Sequence, residues 1–171
     1  MGKFLAGLVL GMLLVPVIFL TFALTGRLSI AANSAPPAWE RTLAWMTVQK
    51  SIARQAPEQK NPIAPTEENL LAGMKLFRDG CEGCHGGGLK KSRWGTDEFY
   101  PRVPQFGFEP PEISEAQIFW VIKNGIRYSG MGGNGGEGGY SDEQTWKLAT
   151  FLSHLKSLPP RVAAEWQKKS S

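Results

Sequence analysis

The run Cys81-Glu82-Gly83-Cys84-His85 places two thiols three positions apart, with an imidazole directly after the second. Thiols at that spacing can bond the two vinyl groups of one porphyrin, and the histidine can then reach the iron from one face; this is the attachment signature of a c-type haem. The chain of 171 residues has no other cysteine. Three other uses compete for the pair. A structural zinc site needs two further Cys or His ligands at metal spacing, and the other histidine, His154, has no paired ligand near it. A thioredoxin-like dithiol belongs in a βαβ pattern, which this helical, Gly-rich sequence lacks. A local disulfide would leave His85 without a role. Haem attachment uses all three side chains.

An iron held by one histidine needs a second axial ligand to serve as a good electron carrier. Without one it binds small molecules. Met131 is the one methionine after the attachment motif, in a loop where glycines allow close approach to a porphyrin. A thioether ligand favours ferrous iron and raises the reduction potential. The plainer reading is an ordinary loop methionine. Met74 is disfavoured as a ligand because it falls on the apolar face of a helix.

The elements around these residues read as helices. Thr66 is an N-cap, with Glu67 and Glu68 in the first turn. Leu70, Met74 and Phe77 follow at i, i+4, i+7 and make one apolar face running into Cys81. Residues 86–111 read as a loop punctuated by Pro101, Pro104, Pro110 and Pro111. Ser114 to Gln117 and Ser141 to Gln144 are capping boxes opening two more helices. The first of these buries Ile118, Val121 and Ile122 and ends at Asn124-Gly125. The second carries Leu148, Phe151, Leu152 and Leu155 on one face, and Glu143, Lys147, Thr150, His154 and Ser157 on the other. His154 is therefore expected to face water and not iron. Between these helices, seven of the ten residues from Gly130 to Gly139 are glycine. No Lys-Ser or Lys-Thr follows, so the stretch is not a phosphate loop; a mobile surface loop is expected.

The flanks have a different character. Phe4 to Leu24 is a 21-residue run without a charge, spanning roughly 31 Å as a helix, the thickness of a bilayer core. It exceeds the apolar region of a cleaved signal peptide and is read as a retained anchor, with Ala32-Asn33-Ser34-Ala35 a weak rival cleavage site. Gly7-xxx-Gly11 would allow a close helix neighbour, although two ordinary glycines are the simpler reading. Lys3 and Arg27 flank the run evenly and set no orientation. Pro36 and Pro37 introduce a helix over 38–55, with Trp45, Val48 and Ile52 on one side. Trp39 and Trp45 suit a membrane interface or a partner surface, and a bare spacer helix is the alternative. Residues 56–65 hold three prolines and read as a semi-rigid linker. The expected organisation is an anchor at 1–30, a juxtamembrane helix and linker at 31–65, a helical domain at 66–160 and a loosely held polar tail at 161–171.

The formal net charge is +4. It belongs to the flanks, because residues 61–160 carry ten bases against twelve acids. No basic helix and no aromatic-basic interleaving is present, so no nucleic-acid partner is expected. Lys90, Lys91 and Arg93 form a short basic cluster, read as solvated surface with a docking patch as the sharper alternative.

Taken together, residues 66–158 resemble a class I c-type cytochrome domain. The family pattern Gly-xxx-aromatic-xxx-CxxCH is matched by Gly73, Phe77, Cys81, Cys84 and His85. The last helix resembles the family's Trp-x-Leu-x-x-aromatic-Leu run through Trp146, Leu148, Phe151 and Leu152. The resemblance implies an all-α fold around one haem c, with that last helix crossing the first at Gly73 and Phe77. It implies covalent attachment through Cys81 and Cys84, with axial ligands His85 and Met131. It also implies a proline carbonyl that accepts from His85, best matched by Pro104 and less well by Pro101. Candidates to line the haem are Trp94, Tyr100, Trp120 and Tyr128. Gly132 stands where many relatives have proline, and the Gly-rich loop replaces a short connection. Haem is attached outside the cytoplasm in this family, so the resemblance implies a single-pass inner-membrane protein with its haem domain on the periplasmic side.

The expected function is electron transport, not catalysis. The chain would be a membrane-anchored monohaem cytochrome passing single electrons between redox proteins of a respiratory or photosynthetic chain, such as an oxidase, a reductase or a reaction centre. The alternative is a fixed haem subunit among the neighbours of a larger membrane oxidoreductase complex. A haem sensor or peroxidase-like protein with an open iron site is the third reading.

Overall fold

The computed structural model describes residues 1–31 and 34–168; Ala32 and Asn33 of the rival cleavage site, and the last three residues of the expected tail, lie outside them. The chain divides into two units, residues 1–36 and Pro37 onward. The described residues contain eight helices and no β-strand; one isolated bridge joins Gly87 and Lys90.

The first unit is built on α1, Gly2–Leu24, which has no buried residue. It is long and apolar enough to cross a membrane. It is apolar on every side, as a helix facing lipid must be. Pro16 lies inside it. The Thr21 and Thr25 hydroxyls donate to the carbonyls four residues back, so neither needs water.

The second unit begins with α2, Ala38–Gln55, which is exposed along its first half and buries Ile52 against the rest of the unit. Then come α3 (Glu67–Gly80), α4 (Glu82–His85), α5 (Arg93–Asp97), α6 (Glu115–Asn124), α7 (Asp142–Ser153) and α8 (Pro160–Gln167). The core is one cluster. Leu70, Met74 and Phe77 of α3 meet Ile118, Phe119 and Ile122 of α6, Trp146, Leu148, Phe151 and Leu152 of α7, and Val162 and Trp166 of α8.

The starts of these helices are local events. Thr66 accepts from the Asn69 N–H, and both capping boxes close in full, Ser114 with Gln117 and Ser141 with Gln144. The crossing of α3 and α7 depends on a missing side chain. A Cβ on Gly73 would press into the Lys147 carbonyl and lie 2.8 Å from the Phe151 Cβ.

Five expectations are corrected. Residues 161–167 are not a loose tail: Pro160 opens α8, whose Val162 is 0% exposed and whose Trp166 sets its edge against Phe77 and Phe151 at 5.5 and 5.2 Å. The helix forms because Val162 and Trp166, four residues apart, face the same core. Phe119 takes the buried place expected of Val121, because its ring stacks on Trp146 at 4.1 Å. Thr150 is fully buried on α7; its hydroxyl donates to the Trp146 carbonyl and accepts from Asn61. The Gly-rich stretch is pinned, since Asn134 and Gly135 donate to the carbonyls of Ile122 and Lys123 and so cap the end of α6. The 86–111 stretch contains a short helix, α5, capped by Ser92.

Candidate haem site

The attachment motif is a continuation of α3. Cys81 N–H donates to the Phe77 carbonyl at 2.7 Å, and Cys84 and His85 both donate to the Cys81 carbonyl. The single turn of α4 thus carries the motif, and residues three apart on a turn are neighbours. Both thiols are free and half-buried. Burial, and then the neighbouring Cys84, pushes the Cys81 thiol up to about 11. It is therefore held as a neutral thiol at physiological pH.

His85 is 9% exposed. Its Nδ1 lies 3.0 Å from the Pro104 carbonyl oxygen. A carbonyl can only accept, so Nδ1 carries the proton in this bond and Nε2 is left with a free lone pair. Burial lowers the imidazole's pKa, and the bond to Pro104 opposes that less strongly; the ring is favoured in its neutral, ligating form. The Phe106 ring stacks on His85 at 4.3 Å and 11°, and the Phe106 N–H donates to the His85 carbonyl at 3.0 Å. The imidazole is thus held through its ring nitrogen, its face and its backbone.

Cys81, Cys84, His85 and Pro104 are brought together. Met131 lies on a different loop, and among the described residues no hydrogen bond or ring contact joins it to them. Its loop is nonetheless built. Ile126 N–H donates to the Met131 carbonyl at 2.9 Å, and the Met131 N–H donates to Ser129 Oγ, whose own hydrogen goes to the Ile126 carbonyl. Pro101 makes no bond to His85. Trp94 sets its edge against Phe99 at 4.9 Å and is 56% exposed, Tyr128 is exposed, and Trp120 is half-buried. His154 is half-buried, its Nδ1 2.8 Å from the Thr150 carbonyl oxygen and 3.7 Å from Glu115.

Besides Phe106, two residues at the site were not legible beforehand. Gln105 is a buried amide between the motif and its neighbouring loops. Tyr140 places its hydroxyl on the Leu76 carbonyl, close against Gly80, and burial raises its pKa, with Cys81 adding to the shift. Neither belongs to a local pattern; each is defined by partners far away in the chain.

The residues fit a covalently held haem: two free thiols on one turn, a neutral imidazole with one nitrogen free, and a carbonyl acceptor behind it. His85, through Nε2, would ligate iron. Cys81 and Cys84 would hold the porphyrin, and the bound group would supply one-electron chemistry at its iron.

Comparison with known proteins agrees. Residues 68–152 match the family model described as cytochrome C oxidase, cbb3-type, subunit III. No curated protein and no solved structure matched the chain.

Proposed function

Residues 68–152 are a c-type cytochrome domain, the kind that binds haem and transfers electrons, and from that premise we propose that the protein is a membrane-anchored monohaem electron carrier. The observation that supports it most is the His85–Pro104 pair at 3.0 Å beside two free thiols on the same helical turn. Cys81 and Cys84 would hold the one haem c, and His85 and Met131 would ligate its iron. A thioether and a neutral imidazole would suit an iron that cycles a single electron.

The chain's own residues do the rest. Phe106 and Pro104 fix the imidazole, and the neighbouring core keeps water from it. Helix α1 serves as the anchor, with the haem domain on the periplasmic side of the inner membrane. The 56–65 linker keeps the domain near the redox proteins it serves, which raises their effective concentration.

The test is expression with a haem-ligation system, followed by a denaturing gel stained for haem and a pyridine haemochrome spectrum. One haem per chain that survives denaturation is expected, with loss of the stain when Cys81 and Cys84 are both replaced by alanine. Haem that strips off in denaturant would overturn the assignment.

A second reading is favoured by the description of the matching family, which is that of an oxidase subunit. The protein would then be a fixed haem subunit of a larger membrane complex. Migration after mild detergent extraction separates the two: the carrier runs alone, and the subunit runs with its neighbours.

A further inference from the structure

Gln105 is 1% exposed, and its side chain is fully engaged. Nε2 donates to the Cys84 carbonyl at 3.1 Å and to the Val103 carbonyl at 2.9 Å, while Oε1 accepts from the Ser92 backbone N–H at 2.7 Å. The amide has one workable orientation. Turned over, it would set its oxygen against two carbonyl oxygens and its NH₂ against an N–H.

The three partners belong to three segments: the attachment turn, the stretch leading into α5, and the loop from Val103 to Phe106. Other bonds reinforce the same joint. Val103 N–H donates to the Gly95 carbonyl at 3.0 Å, and Ser92 Oγ donates to the Gly83 carbonyl. Gly95 lies flush on the Cys84 carbonyl, with no room there for a Cβ. The Gln105 side chain makes none of its hydrogen bonds to His85. Its two neighbours in the chain contact His85: Pro104 through its carbonyl, and Phe106 through its ring and its N–H.

We propose that Gln105 is a positioning residue, which holds the Pro104 carbonyl on His85 Nδ1 and through that bond lowers the reduction potential of the haem iron. The inference rests on the reading of His85 as the axial ligand. The chemistry follows from the bond. An imidazole that donates Nδ1–H to a carbonyl carries more electron density at Nε2, becomes the better donor to iron and stabilises the ferric state. Without the amide, the half-buried Cys84 and Val103 carbonyls and the Ser92 N–H lose these partners, and the loop shifts to recover others. The Pro104 carbonyl moves with it, Nε2 becomes a weaker donor and the potential rises.

The test uses the full haem-loaded protein and Gln105→Leu, which keeps bulk and removes every bond. Two quantities are read: the midpoint potential, and the exchange rate of the His85 Nδ1–H proton by NMR. The potential is expected to rise by about threefold in the ferric/ferrous equilibrium, roughly 30 mV for a one-electron couple, with faster Nδ1–H exchange. A merely structural role would lower thermal stability and leave both readings at the parent's values, which would overturn the proposal, as would a fall in potential. Where the leucine variant does not hold haem, Gln105→Glu takes its place. It keeps the shape and the acceptor for Ser92 but lacks the pair of donors facing Cys84 and Val103, and a parental potential in it sinks the idea. Failure of the parent to bind haem covalently would instead refute the electron-carrier reading, so the two failures are distinct.

Discussion

Gly73 and Lys147 meet backbone to backbone: the Cα of the first lies where a methyl group would press into the carbonyl oxygen of the second. On an exposed helix face, Gly→Ala gains about 1 kcal/mol of helix propensity. Here the obstacle is a main-chain oxygen of α7, which cannot swing away. Gly73→Ala is therefore expected to lower the unfolding free energy, by about 1–3 kcal/mol as overpacking does. Guanidinium denaturation of the parent and variant measures it; a neutral or stabilising result would contradict the packing described.

Trp166 closes the core from beyond α7, with its edge on Phe77 and Phe151. Trp166→Ala should cost about 3–5 kcal/mol, the usual toll for emptying a buried aromatic site. Thermal unfolding followed by circular dichroism gives the number. A loss below about 1 kcal/mol would mean that α8 is only loosely attached.

Thr150 tests a buried polar joint. Its hydroxyl links the Trp146 carbonyl to the Asn61 side chain, and so ties the linker to α7. Thr150→Val keeps the shape and leaves Asn61 without that acceptor. The expected cost is about 1–3 kcal/mol, with earlier proteolysis within residues 56–65. Unchanged cleavage there would show that the joint does not hold the linker.

Met131 carries the distal half of the proposed haem site. Met131→Ala should lower the reduction potential and open the iron, so that the ferrous variant binds carbon monoxide rapidly while the parent does not. Rapid, full binding by the parent would remove Met131 as ligand and favour the open-site reading.

Helix α1 is proposed as a retained anchor. The protein should stay with the membrane pellet after alkaline carbonate washing, and a chain lacking residues 1–30 should be released. Recovery of a shortened product of the full-length gene in the soluble fraction would point to a cleaved signal.

Much of this protein is written locally. The apolar run of α1, the Leu70–Met74–Phe77 face of α3, the Thr66 cap and both capping boxes each depend on residues within a few positions of one another, and periodicity and capping chemistry act at that range. The CxxCH motif is local in the same sense, because it needs only one helical turn. What only the tertiary structure decided involves partners distant in the chain. Thr150 reads as part of a polar face until Asn61, 89 residues away, supplies its bond. Residues 161–167 read as a polar tail until Phe77 and Phe151 offer Trp166 a surface. Two prolines compete on paper for His85, and the structure pairs it with Pro104 because the loop around Gln105 is sewn to the attachment turn. Sequence spacing describes how a helix turns, whereas burial and hydrogen bonding over long separations are properties of the folded chain.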